Sequence, residues 1–148
     1  MVDRRRAARW QQRFNRFFVW LFHLRRGRLA YRKAPSLVLH TVGRRSGRPY
    51  QTPLLYLPVG DGRLALVASN GGDDRTPAWC LNVMTHPDVE AEVGRDRRPF
   101  TAALATPSER AELWPRVTAS YSGFAKYQTL TERVIPVVLL SPRADTMS

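Results

Sequence analysis

Gly43-Arg44-Arg45-Ser46-Gly47-Arg48 places three guanidinium groups on one glycine-bounded turn. Such a turn can bring backbone N–H groups close to an anion. Arginine adds planar, paired donors that match phosphate or carboxylate oxygens. The same stretch also reads as a solvated basic hairpin tip. It is not a Walker loop, because the glycine spacing and the Lys-Ser/Thr ending are missing. Ser69-Asn70-Gly71-Gly72 follows an apolar run. Small residues there permit close approach by a ligand, or simply make a turn. Trp79 and Asn82 lie three apart after Pro77-Ala78 and share a helix face. Trp79 either covers a planar ring while Asn82 bonds a polar edge, or packs in the core. Tyr121, Phe124, Tyr127 and Gln128 form a fourth group, which lines a pocket or packs as an ordinary amphipathic face. A tyrosine hydroxyl with a pKa near ~10 stays protonated at neutral pH, so it can donate a proton without tuning.

Other chemistries find no support. His23, His40 and His86 are far apart in sequence and lack acidic companions at ligand spacing, so no metal site is expected. Cys80 is the only cysteine, which rules out a disulfide or a cysteine-based metal site within one chain. Without a surrounding motif it reads as a buried thiol. No Ser-His-Asp pattern, zinc finger, helix-turn-helix or RNA-recognition signature is visible.

The elements that must position these groups fall into three zones. Residues 4–26 read as a helix, with Trp10, Phe14, Phe17, Phe18, Leu21 and Phe22 on a broad aromatic face and Gly27 as its stop. Residues 36–104 read as strands and turns. Strands are expected over 36–42, 50–58, 64–69, 89–93 and 100–104, with turns at 43–49, 60–62 and 94–98. A short helix over 77–84 has Thr76 as N-cap and Pro77 at its first position. The last zone holds a helix over 107–120, with Ser108 in capping position, then 121–133, then an apolar strand over 134–140. About six strands in mostly hairpin order predict a mainly β fold with α elements, an antiparallel barrel with helices over its openings. A doubly wound nucleotide fold would need helices between parallel strands.

Net charge is +12, and nearly all of the positive charge is arginine. Ten Arg and one Lys fall in the first 33 residues against a single acid, Asp3. That concentration points to an anionic partner. No apolar stretch approaches the roughly 20 residues of a membrane span. The run 17–24 is short, contains His23 and leads into more arginine with no small-residue cleavage site, which argues against a cleaved signal. The helix over 4–26 instead suits an anionic membrane surface, its aromatic face in the interface and its Arg among headgroups. The alternative is a lid that caps the barrel core. A nucleic-acid partner is not expected, because the aromatic face is too apolar for an electrostatic arm. The expected location is cytoplasmic, peripheral at the inner face of the plasma membrane.

One further signal is the order of these pieces. Thr41-Val-Gly-Arg-Arg-Ser-Gly-Arg-Pro, Thr52-Pro-Leu-Leu-Tyr, Val67-Ala-Ser-Asn-Gly-Gly, Pro77-Ala-Trp, Asn82, His86-Pro-Asp-Val, Glu109-Arg-Ala-Glu-Leu-Trp, Tyr121, Tyr127-Gln128 and Ile135-Pro-Val-Val follow one another over about residues 35–141. In that order and spacing the chain resembles the deazaflavin (F420)-dependent nitroreductase family. The resemblance implies a split β-barrel over 34–148, preceded by the basic helical segment 1–33. It implies coenzyme F420 as cofactor, with FMN the lesser possibility. In that reading Arg45, flanked by Arg44 and Arg48, holds the anionic cofactor tail. Ser69, Asn70, Gly71 and Gly72 contact the cofactor through backbone groups. Pro77, Ala78, Trp79 and Asn82 lie along the deazaflavin, and Phe124 faces the substrate pocket with Tyr121 and Tyr127. Many relatives carry a basic residue where Tyr50 stands and Tyr where Cys80 and Phe124 stand. Arg48 then replaces a tail contact, and Tyr121 and Tyr127 remain as proton donors. The implied activity is hydride transfer from reduced F420 to a small organic acceptor: a quinone, an enone or a nitro compound. The competing reading is a non-catalytic F420-, FMN- or lipid-binding protein of the same fold.

Overall fold

Alternating and doubly apolar runs produce eight strands, seen in a computed structural model that describes residues 4–27, 30–31 and 34–144. Side chains are described over 13–27 and 34–144. The strands are β1 (Ala30–Tyr31), β2 (Ala34–Val42), β3 (Pro49–Leu55), β4 (Leu57–Gly60), β5 (Arg63–Val67), β6 (Asp88–Val93), β7 (Asp96–Leu104) and β8 (Val137–Pro142). Helices are α1 (Arg4–Leu24), α2 (Ala78–Thr85), α3 (Pro107–Ser120) and α4 (Gly123–Thr129), with a 3-10 turn at Asn70–Gly72. All pairings are antiparallel, in the order β1-β2-β6-β7-β8-β5-β4, with β3 pairing to β2. The expected run 50–58 is two strands. It breaks at Tyr56, where the chain leaves β2 and continues beside β5.

β5 and β8 are buried on both faces, which is why they read as continuous apolar runs rather than alternating ones. Leu64, Leu66, Val138 and Leu140 point into the barrel core with Leu37, Leu39, Phe100 and α2's Trp79, Cys80 and Val83. Ala65, Val67, Val137 and Leu139 face outward, under Leu113 and Val117 of α3 and Phe124 of α4. Thus α2 plugs the barrel, and α3 and α4 cover its outer wall.

Two caps differ from expectation. Pro77 is itself the N-cap of α2, with no side-chain cap bond from Thr76. In α3 the cap is Thr106 rather than Ser108. Its hydroxyl accepts from the Glu109 N–H at 3.2 Å while the Glu109 carboxylate accepts from the Thr106 N–H at 2.9 Å. Pro107 then occupies the first helical turn, where its missing N–H costs nothing. β7 starts at Asp96, so the expected turn 94–98 shortens to Gly94-Arg95. β8 starts at Val137, because the backbone over 133–135 is tied to side chains instead of a strand.

Helix α1 lies against β2 and β3. Phe22 and Val19 are buried on Val38, whereas Phe14, Phe17, Trp20 and Leu24 are each more than half exposed. The side chains of Trp10, Arg4, Arg5, Arg6 and Arg9 lie outside the described residues, as does all of Lys33. At the helix end, His23 Nε2 bonds the Glu92 carboxylate at 3.1 Å, and His40 Nε2 bonds it at 3.1 Å from the other side. Two histidines distant in sequence therefore share one acid, a long-range pairing that no local spacing marks. Among the described residues no group of three or more His, Cys, Asp or Glu is arranged to hold a metal ion.

Candidate functional site

The basic turn is a six-residue connection between Val42 and Pro49. Its two glycine amides bond within the turn: Gly43 N–H donates to the Arg48 carbonyl at 2.9 Å, and Gly47 N–H to the Gly43 carbonyl at 3.0 Å. Gly43 is closely packed: a Cβ there would meet the Ser46 hydroxyl at 2.5 Å and the Tyr50 ring at 2.8 Å, so those side chains would have to shift. Glycine amides aimed at an anion, as the sequence suggested, are therefore not what this loop offers at 43 and 47. It offers guanidinium groups, with Arg45 and Arg48 exposed and Arg44 partly so.

Asn82 sits behind the loop. Its side chain is buried, and its Oδ1 accepts from the Arg44 N–H at 3.0 Å. Asn82 thus anchors the basic turn to α2. Trp79, one helical turn earlier, is buried in the barrel core, while Ala78 is exposed and Pro77 is buried. Cys80 lies beside Trp79 in the core, and burial pushes its thiol up to about 11, so it stays protonated.

The Ser69–Gly72 corner follows β5 directly. Ser69 has a right-handed backbone, while Asn70 and Gly71 are left-handed at φ 47° and 65°. Gly71 is exposed, and a Cβ there would meet nothing within 4 Å. Gly72 is different. It is buried, and a Cβ would press on Leu130 and on the Tyr127 carbonyl at 3.0 Å. So the close approach at Gly72 is made by α4, and the open approach is at Gly71. An open cleft of about 560 Å³ adjoins this corner, lined by Asp74 and 129–133. Its acids, Asp74 and Glu132, suit neither an anionic tail nor an apolar acceptor, so we place neither there.

Tyr121 and Tyr127 come together as the sequence suggested, with hydroxyl oxygens 3.2 Å apart and both rings half-buried. Phe124 is buried between them and the outer wall, its ring edge-on to Tyr121 at 4.9 Å, so it supports the pair rather than lining an open surface. Gln128 bonds the backbone of 133–135: its Nε2 donates to the Arg133 carbonyl at 2.7 Å, and its Oε1 accepts from the Ile135 N–H at 3.0 Å. Arg133 escaped the sequence reading altogether. Its guanidinium donates to three backbone carbonyls of the corner segment, and the only advance signal was a lone arginine just before the Ile135-Pro136 pair.

Three guanidinium groups on an anchored turn fit a multiply anionic ligand. An exposed, left-handed glycine at a strand end lets a flat ligand approach the backbone. The class of ligand comes from the proteins this chain is similar to. The model of the F420H(2)-dependent quinone reductase family matches residues 14–142. A Mycobacterium tuberculosis protein named an F420H(2)-dependent quinone reductase is 42% identical over 123 residues, covering 79% of this chain and 82% of that one. A solved structure of an F420-H2-dependent reductase shares 35% identity at a TM-score of 0.66, covering 72% of this chain and 94% of its own. A second solved structure, described only as a domain-swapped dimer, shares 30% identity at a TM-score of 0.68 and covers 85% of this chain and 96% of its own. The class is therefore that of split-barrel, F420-dependent oxidoreductases. Within it, the chain belongs to the F420H(2)-dependent quinone reductase family.

Proposed function

We propose that this enzyme reduces a lipid-soluble quinone at an anionic membrane surface, with enones and nitro compounds accepted by the same two-electron chemistry. When bound, reduced F420 supplies the hydride. The chain's own groups then have distinct tasks. Arg45, with Arg44 and Arg48, binds the anionic tail, and Asn82 keeps that turn in place. The Ser69–Gly71 backbone and exposed Ala78 flank the ring system. A quinone that accepts a hydride needs one more proton to become a hydroquinone. The Tyr121 and Tyr127 hydroxyls lie 3.2 Å apart; the Tyr127 oxygen can accept from Tyr121 while its own O–H supplies the proton to the acceptor oxygen.

The observation that carries the membrane reading is the exposed stripe Phe14, Phe17, Trp20 and Leu24 on a helix already docked on the barrel. Arg13, Arg16, Arg25 and Arg26 are exposed around it. Apolar rings flanked by arginine suit an interface, and no helix among the described residues is long and apolar enough to cross a membrane. Docking by Phe22 and Val19 leaves this stripe free, so the helix need not choose between covering the barrel and meeting lipid. A peripheral position at the inner face of the plasma membrane follows from this reading.

The test compares reduced-F420 oxidation by a water-soluble quinone and by a long-chain quinone in anionic vesicles. Phe17→Glu/Trp20→Glu should weaken vesicle binding at least about tenfold, from the loss of two interfacial aromatic side chains. It should slow only the vesicle reaction. Equal vesicle rates in the variant and the parent would contradict the membrane reading.

A further inference from the structure

The corner that meets the cofactor in this reading is not held by its own turn alone. Arg133 reaches it from the connection between α4 and β8. Its Nε–H donates to the Asp73 carbonyl at 2.9 Å, and its Nη2 donates to the Ser69 carbonyl at 3.0 Å and the Ala68 carbonyl at 3.2 Å. Among the described residues it has no carboxylate partner within 4.0 Å, and its Nη1 is buried without a partner. A half-buried cation that spends its bonds on neutral carbonyls gains no ion pair in return for its partial desolvation. A neutral side chain filling the same space would serve packing as well. What the guanidinium adds is charge, applied to particular peptide units.

Those units are informative. The Ala68 carbonyl belongs to the same peptide group as the Ser69 N–H, and the Ser69 carbonyl to the same group as the Asn70 N–H. A charged donor on a carbonyl polarises its peptide group and strengthens the N–H on the opposite side. It also braces the switch from right-handed Ser69 to left-handed Asn70, a geometry that costs free energy unless its surroundings fix it. Gln128 and Thr131 hold the Arg133 backbone in turn. Gln128 Nε2 bonds the Arg133 carbonyl at 2.7 Å, and the Arg133 N–H donates to Thr131 Oγ1 at 3.3 Å. The Thr131 hydroxyl also donates to Asp74 at 2.8 Å, across the same junction.

We propose that Arg133 is a positioning residue for cofactor binding, polarising and fixing the Ser69–Gly71 backbone that receives F420 while touching neither cofactor nor acceptor. The inference rests on the reading that this corner contacts the cofactor. Lysine keeps the charge but lacks the planar fork that bonds three carbonyls at once. Methionine keeps the length and removes the charge.

The experiment measures F420 dissociation constants by fluorescence titration, together with KM and kcat on a soluble quinone, for Arg133→Lys, Arg133→Met and Gly71→Asn. Asparagine adopts a left-handed backbone more readily than other non-glycine residues, so Gly71→Asn places a side chain in the open approach at a modest cost in backbone strain. Arg133→Met should raise the F420 dissociation constant about tenfold or more, the loss of a charge-assisted contribution. Arg133→Lys should recover part of that loss. The KM for quinone, and kcat at saturating F420, should change by less than about threefold in both, which separates positioning from general damage. Parental F420 affinity in folded Arg133→Lys and Arg133→Met, with Gly71→Asn impaired, overturns the role of Arg133 and leaves the corner reading intact. Parental affinity in Gly71→Asn overturns the corner reading and this inference with it. If Arg133→Met does not fold, the affinity of Arg133→Lys decides alone.

Discussion

Asn82→Ala separates two tasks that a buried asparagine beside a cofactor could perform. The side chain is 5% exposed, and its Oδ1 accepts the Arg44 N–H at 3.0 Å. Alanine leaves that N–H without its acceptor in a partly buried place, at a cost of about 1–3 kcal/mol. For a chain of this size each kcal/mol lowers the melting temperature by roughly 2–4 °C. A loss of about 1 kcal/mol from loop anchoring also reduces the fraction of molecules with the basic turn in place, which raises the F420 dissociation constant by up to about fivefold. Asn82→Asp keeps an acceptor at the same position, so it should retain more affinity than alanine despite its added charge. Fluorescence titration with F420 and thermal unfolding monitored by circular dichroism give both quantities. Parental affinity in Asn82→Ala would refute the anchoring role. An unchanged melting temperature in Asn82→Ala, with equal affinity losses in the Ala and Asp variants, would point to direct contact between the Asn82 amide and the cofactor.

Tyr121→Phe/Tyr127→Phe removes both hydroxyls and keeps both rings on Phe124. Turnover should fall about 100-fold, the lower range for loss of a positioned proton donor, with F420 affinity unchanged by titration. Full turnover on every accepted quinone would assign the proton to solvent. At Glu92, burial pushes the carboxyl upward, but the hydrogen bonds and charges of His40 and His23 outweigh it, and the net shift is downward. A lowered carboxyl contributes stability that is present above its unfolded pKa, near ~4.3, and is lost as pH falls through the folded value. The urea midpoint of the parent should therefore exceed that of Glu92→Gln at neutral pH, and the gap should close in acid. A gap that persists at low pH would exclude the carboxylate as its source.

The barrel was legible because its strands alternate or run apolar, and because glycine and aspartate mark the tight hairpins. The break at Tyr56 was not, since a change of strand partner leaves the strand pattern of 50–58 uninterrupted. The α3 cap was available in principle: Thr106 and Glu109 stand at capping-box spacing, and Ser108 drew attention by residue type alone. Local motifs located the basic turn, the glycine corner and the tyrosines, but long-range contacts decide what each does. Asn82 holds Arg44 across 38 residues, and Arg133 holds Ser69 across 64. His23 and Glu92 are 69 apart, so no local spacing rule could pair them. Gly72 shows the same limit, because its small size answers to Leu130 and the Tyr127 backbone.

The central claim is that an anchored arginine turn holds a deazaflavin cofactor on this barrel. The most direct test is a paired titration of the parent and Arg44→Ala/Arg45→Ala/Arg48→Ala with F420 and with FMN. The parent should bind F420 more tightly than FMN. The triple variant, folded as judged by circular dichroism, should lose at least about 1.5–3 kcal/mol of F420 binding, the range for hydrogen bonds to charged groups. F420 affinity that is equal in the two proteins, or a parent that binds FMN and not F420, would contradict the account.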